Sequence, residues 1–100
     1  MIRHLIIRAE AESDITEAAL WYDGHAQDMG DAFLSEVHIA IQRVVENPLA
    51  YRRLRRHPEV RRVLTARFPY RVFYVLRPDA VVIIRVLHGA RHPGEWTKSL

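Results

Sequence analysis

The stretch VRRVLTARFPYRVFYVLRPDAVVIIRVLH, residues 60–88, decides the fold. It is dense in β-branched and aromatic residues and is broken at Phe68-Pro69 and again at Arg77-Pro78-Asp79. Such side chains suit a pleated, half-buried surface, and proline punctuates strands. The spacing predicts three short strands, residues 60–67, 70–77 and 80–88, with a meander as the simplest pairing. In the last strand, strict alternation would place Val82, Ile84, Val86 and His88 on one face. Val81, Ile83, Arg85 and Leu87 would then share the other.

Upstream of this stretch the period changes. Ala11, Ile15, Ala18 and Tyr22 fall at helical spacing. Glu10, Glu12, Asp14 and Glu17 crowd the first turns, where the helix dipole favours carboxylates. Asp23-Gly24 and Asp28-Met29-Gly30-Asp31 break this helix and offer N-caps for a second. There Phe33, Val37, Ala40 or Ile41, and Val44 form one apolar stripe, widened by Leu34 and Val45. It stops at Asn47-Pro48, because the residue before proline avoids helical geometry. Two helices joined by a few polar residues imply an antiparallel hairpin. Residues 2–8 read as a short strand and residues 49–58 as a basic loop. The order is β-α-α-β-β-β, an α+β fold of one domain over residues 1–100. Its helical hairpin packs on one face of a small, twisted, mainly antiparallel sheet, leaving the other face free to carry arginines.

Charge is divided along the chain. Residues 1–50 hold nine acids against three arginines, whereas residues 51–100 hold three acids against eleven arginines and one lysine. The second half therefore suits a polyanion or an acidic protein surface. Arginine rather than lysine supplies nearly all of this charge, and its planar fork matches phosphate and carboxylate. Cysteine is absent, so disulfides and thiolate metal sites are excluded. The longest apolar run is residues 80–84, far short of the roughly 20 residues that span a bilayer. Residues 1–8 are too soon interrupted by charge to form a signal peptide. The expectation is a soluble cytoplasmic protein with no membrane association.

Several motifs in order resemble one known family. They are Ala11-x-x-Asp14-Ile15-x-Glu17-Ala18 with Trp21-Tyr22, Gly30-x-x-Phe33 with Val37, and Asn47-Pro48 with Tyr51. Val60-Arg61-Arg62, Phe68-Pro69-Tyr70-Arg71-Val72-Phe73-Tyr74 and Val86-Leu87-His88-Gly89-Ala90-Arg91-x-Pro93 with Trp96 complete the set. Together they are similar to the RelE/ParE superfamily of toxins from bacterial type II toxin–antitoxin pairs, also called plasmid stabilisation proteins. The resemblance implies a cognate antitoxin, encoded alongside, whose tail wraps and blocks the toxin while its other end binds DNA. Toxin–antitoxin heterotetramers are among the assemblies it implies. RelE-like members cleave mRNA on the ribosome; ParE-like members poison DNA gyrase. One scaffold thus carries an enzyme class and a binding-inhibitor class. The leading expectation for this chain is ribosome-dependent mRNA cleavage, with Arg71 and Arg91 on the phosphate and His88 assisting proton transfer; gyrase poisoning is the alternative.

On the nuclease reading, the resemblance places Arg71 and Arg91 on the scissile phosphate, with Arg62 at a basic position of the preceding strand. His88 or His92 would move a proton, since imidazole titrates near neutrality. Tyr70 and Tyr74 would stack on bases. Two family positions are vacant: a second strand cation falls at Leu64, and the C-terminal catalytic tyrosine falls near Trp96-Thr97. On the gyrase reading only a complementary surface is needed, with Arg61, Arg62, Tyr70, Tyr74, His92 and Trp96 as contact candidates. Each residue also has a plain structural role. The strand arginines can cover the sheet with their stems, and Arg91 can pair with a carboxylate such as Asp14 or Glu17. Trp21, Tyr22, Phe33 and Phe73 can be packing residues, and Trp96 can pin the tail. The run Arg52-Arg53-Leu54-Arg55-Arg56 can be a solvated loop, or can meet RNA or an acidic antitoxin tail. No metal or cofactor is expected: Gly89 and Pro93 prevent a helical pairing of His88 with His92, and no third ligand has suitable spacing.

Overall fold

The computed structural model describes residues 4–91 and 93–99. Strand β1 (His4–Ile7) leads into helices α1 (Ala9–Asp23) and α2 (Met29–Glu46). Strands β2 (Val60–Leu64), β3 (Tyr70–Leu76) and β4 (Ala80–His88) follow, then 3₁₀ turns at Pro93–Glu95 and Thr97–Ser99. The sheet order is β1-β4-β3-β2. The meander β2-β3-β4 is antiparallel, as expected, and β1 adds a parallel edge beside β4. Strand β4 is therefore interior and covered on both faces, which is why residues 80–84 read as an unbroken apolar run.

Strand β2 ends at Leu64 rather than at residue 67. There Thr65 turns the chain: its hydroxyl donates to the carbonyls of Phe68 and Tyr70, and its N–H donates to Tyr70 O at 3.1 Å. The expected aspartate N-caps also work differently. Asp28 occupies the N-cap of α2 in the left-handed region (φ 62°) and makes no side-chain cap bond. Asp23 does that work instead, accepting the Gly30 N–H at 2.8 Å.

Strict alternation in β4 fails. Phe73 pairs with Arg85 but Tyr74 pairs with Ile83, so Ile84 is an extra residue and β4 is bulged. A bulge re-aims the side chains beyond it. Arg85 and Val86 both turn toward the helices, and Leu87 joins the opposite face with Val82 and Ile84. Asp14 of α1 staples the bulge, accepting Arg85 Nε at 2.7 Å, Arg85 Nη2 at 3.0 Å and the freed Val86 N–H at 3.0 Å. That bidentate bond raises the Arg85 pKa against the opposing effect of burial.

The helix-side core joins Phe33, Val37 and Val44 to Val72, Tyr74 and Ile83. The opposite face is not the open arginine surface expected. A second cluster there comprises Leu54, Val60, Phe73, Val82, Ile84, Leu87 and Trp96, with the Trp96 ring 4.6 Å from Phe73 in edge contact. Arginines are confined to the part of this face nearest β2.

Tyr74 is 0% exposed, and its hydroxyl donates to Pro48 O at 2.6 Å, clamping the end of α2 to the sheet. Burial pushes its pKa from 10.0 up to about 12. A folded value above the unfolded one leaves stability intact below pH 10 and removes it as pH climbs from 10 toward 12. Over that window the loss should approach roughly 2 kcal/mol. Tyr74→Phe should flatten this alkaline arm and cost about 1 kcal/mol at neutral pH from the lost hydrogen bond. Urea denaturation between pH 8 and pH 11.5 checks both effects; an unchanged alkaline slope in the variant counts against the clamp.

Candidate functional site

The basic loop is tied to the outer edge of β2. Arg62 N–H donates to Arg52 O at 3.0 Å and Leu54 N–H to Val60 O at 2.8 Å, with a bridge between Arg53 and Arg61. Leu54 is buried in the second core, so this loop is pinned rather than merely solvated. Arg62 lies opposite Phe73, and Arg71 lies opposite Leu64 and Leu87; both therefore project from the face that carries the second core. The result is a groove of about 300 Å³ lined by Arg52, Arg53, Arg55, Arg62 and Arg71, with Leu54 and Pro93 completing it.

Among the described residues no carboxylate lines this groove. The Arg62 pKa is lowered, first by burial and then by the positive charges of Arg71 and Arg52. Five guanidiniums gathered without a counter-charge oppose folding, so the arrangement makes physical sense when an anionic surface completes it.

Arg61 points the other way. Its Nη1 donates to Tyr51 O at 2.8 Å and Leu49 O at 3.3 Å, a structural role holding the start of the loop. Tyr74 and Trp96, expected as contact residues, are both buried in cores and offer no ring to a partner. His92 lies outside the described residues.

The remaining candidates gather across the sheet from the arginines. Tyr70, His88 and Arg91 line a cleft of about 390 Å³ against α1, with Asp14, Glu17, Trp21 and Tyr22. Tyr70 is half-buried, with its ring 5.4 Å from His88, and burial foremost raises its pKa, aided by Tyr22 and Asp14. His88 Nδ1 accepts the Ala90 N–H at 3.0 Å, so the neutral ring carries its proton on Nε2. Arg91 Nε donates to Glu95 at 3.3 Å, a partner other than the two acids expected. The three residues assigned to catalysis are thus divided: Arg71 in the groove, His88 and Arg91 in the cleft. Trp21, expected in the packing, is 57% exposed. Its position beside Tyr22, off the stripe of Ala11, Ile15, Ala18 and Tyr22, was the available signal.

A two-helix layer on a four-stranded mixed sheet, in the order β-α-α-β-β-β, is the fold of the RelE/ParE toxins. The family model described as the ParE toxin of the type II toxin–antitoxin system parDE matches residues 5–93, and the chain belongs to that family. It is therefore a toxin of a type II toxin–antitoxin system, and toxins of this kind partner with cognate antitoxins. Among solved structures, a chain of the chromosomal ParDE system of P. aeruginosa matches with TM-score 0.67 and 20% identity, covering 87% of this chain and 96% of that one. An E. coli RelE mutant in complex with an antitoxin RelB peptide matches with TM-score 0.65 and 17% identity, covering 100% and 96%. A conserved hypothetical protein of Helicobacter pylori matches with TM-score 0.59 and 14% identity, covering 91% and 98%. No curated protein sequence matches significantly. Among the described residues no helix is long and apolar enough to cross a membrane.

Proposed function

We propose that this toxin arrests growth in the cytoplasm by binding its target, in the manner of ParE-like inhibitors of DNA gyrase, rather than by cleaving mRNA. The observation that carries the reading is the composition of the arginine groove. Its described lining contains cations, a leucine and a proline, and no group suited to take or give a proton. Metal-free RNA cleavage needs a base for the ribose 2′-OH and an acid for the leaving oxygen, placed beside the phosphate-binding cations. His88 is on the opposite face, with Nδ1 occupied by Ala90 and only its N–H edge left over. A binding inhibitor needs complementarity alone, and a cationic groove suits an anionic patch on such a target. An antitoxin laying an acidic segment along the same groove would neutralise the toxin directly.

Pro93 lines the groove, and its chain neighbour is His92, so the test must include that histidine. Induction of wild type should block DNA supercoiling and trigger the DNA-damage response before protein synthesis falls. Toxicity should persist within about twofold in the His88→Ala/His92→Ala double variant, since binding rather than proton transfer is at stake. The checks are pulse-labelling of protein against DNA synthesis in the first minutes, and a supercoiling assay with purified chain. An early halt in protein synthesis, together with loss of toxicity in the histidine variant at undiminished antitoxin binding, would move the protein to the nuclease class.

A further inference from the structure

The cleft across the sheet lies outside the arginine groove to which target binding is assigned above. Its wall is a run of rings in edge contact from helix to sheet. Trp21 meets Tyr22 at 5.1 Å, Tyr22 meets Tyr70 at 6.1 Å, and Tyr70 meets His88 at 5.4 Å. His25 stacks on the indole of Trp21 at 3.8 Å, fixing its orientation, yet the side chain stays largely exposed where it borders the cleft. A fixed, solvent-facing indole at the mouth of a concavity presents an aromatic face to a cationic group.

The charges around the cleft are unequally spent. Asp14 is consumed by Arg85 and the Val86 N–H, and Arg91 by Glu95. Glu17, one turn beyond Asp14 on the same helix, has no ion pair or hydrogen bond among the described residues. Helix α1 contains five acids and no lysine or arginine. Among the described residues only Asp14 and Asp23 accept hydrogen bonds through their carboxylates; Glu10 and Glu17 act on Arg85 through charge alone, and with Glu12 they form a negative track leading to the cleft. Aromatic faces and a carboxylate without a hydrogen-bond partner among the described residues attract the same species, a cation, and a planar guanidinium both stacks on indole and forks onto carboxylate.

We infer that this cleft is a docking site for an arginine side chain on a basic segment of a partner protein, the guanidinium stacking against Trp21 and pairing with Glu17. The site stands apart from the arginine groove, so the two surfaces of the toxin read opposite charges. It does not depend on which target the groove engages. The remaining length of α1 accommodates further basic residues of the same segment, so affinity rises with the number of arginines presented.

The test uses the full-length chain and the indole N–H resonance of Trp21, assigned by its loss in Trp21→Phe. The probes are N-acetyl-arginine amide, its neutral isostere N-acetyl-citrulline amide, and a capped Arg-Gly-Arg-Gly-Arg peptide. The arginine amide should shift the Trp21 resonance with a dissociation constant in the millimolar range, and the peptide should bind at least tenfold tighter. Citrulline should give no saturable shift. Read on the Tyr70 and His88 resonances, Trp21→Ala should weaken the peptide at least tenfold and Glu17→Gln about fivefold, with Arg71→Ala unchanged. Both altered side chains are exposed, so neither variant removes core packing. Equal binding of citrulline would overturn the inference, as would affinities insensitive to Trp21→Ala and Glu17→Gln. A concentration-dependent self-association abolished by Trp21→Ala would also overturn it, by assigning the cleft to the arginine loop of a second copy.

Discussion

Gly30→Ala should destabilise the fold by about 1–3 kcal/mol, although alanine is the better helix former. A Cβ at Gly30 would stand 2.5 Å from the backbone oxygen of Ala19 and 2.6 Å from the carboxylate of Asp23. The first of these cannot swing aside, because it belongs to the backbone of α1. The two helices must separate where they cross, and Asp23 must release the Gly30 N–H it now accepts at 2.8 Å. Overpacking of this kind costs roughly 1–3 kcal/mol and the lost hydrogen bond about 1 kcal/mol. Against these stands a gain of about 1 kcal/mol in helix propensity. The steric contact wins because it opens the α1–α2 interface from which Phe33 reaches the core. Urea denaturation of the variant measures the balance. Stability at or above wild type would mean the helices do not approach this closely in solution.

Much of this fold was legible because local signals and tertiary packing agree. The second helix buries the stripe of Phe33, Val37, Ala40, Ile41 and Val44, whereas Leu34 and Val45, expected to widen it, stay exposed; Asn47-Pro48 marks its end. The β-branched runs between prolines became β3 and β4. What misled was the assumption of perfect period-two alternation. One extra residue, Ile84, turns Val86 and His88 toward the helices and Leu87 away, and only the long-range staple by Asp14 makes that bulge stable. The same locality explains the misplaced site residues. Tyr74 and Tyr70 sit four apart in one strand, yet the first lies at the core's centre and the second at its rim. The arginine groove was half legible: Arg62 and Arg71 stood out on their strands. That Arg52, Arg53 and Arg55 would be folded onto them depended on Leu54 burying itself under the C-terminal turns, a contact no local pattern announces.

Reversing charge in that groove should separate toxicity from folding. The double variant Arg62→Glu/Arg71→Glu should abolish growth arrest on induction and weaken target binding by at least ~100-fold, since desolvated interface charges cost several kcal/mol when removed and more when inverted. Its thermal midpoint should not fall below that of wild type. Arg62 is held among like charges, and its pKa is lowered by burial and by Arg71 and Arg52, so each reversal also relieves repulsion in the free protein. Arg77→Glu, an exposed position at the β3–β4 turn, controls for reversing a single surface charge outside the groove and should leave toxicity within about twofold. The binding deficit should shrink as ionic strength rises toward 0.5 M, where the screening length falls below about 5 Å and wild type itself loses affinity. Growth curves, isothermal titration against the purified target and antitoxin, and thermal melts decide the matter together. Toxicity retained in the double variant would show that the groove is not the surface that meets the target. Toxicity lost together with a midpoint several degrees lower would show that these arginines serve the fold and that their apparent lack of partners is misleading.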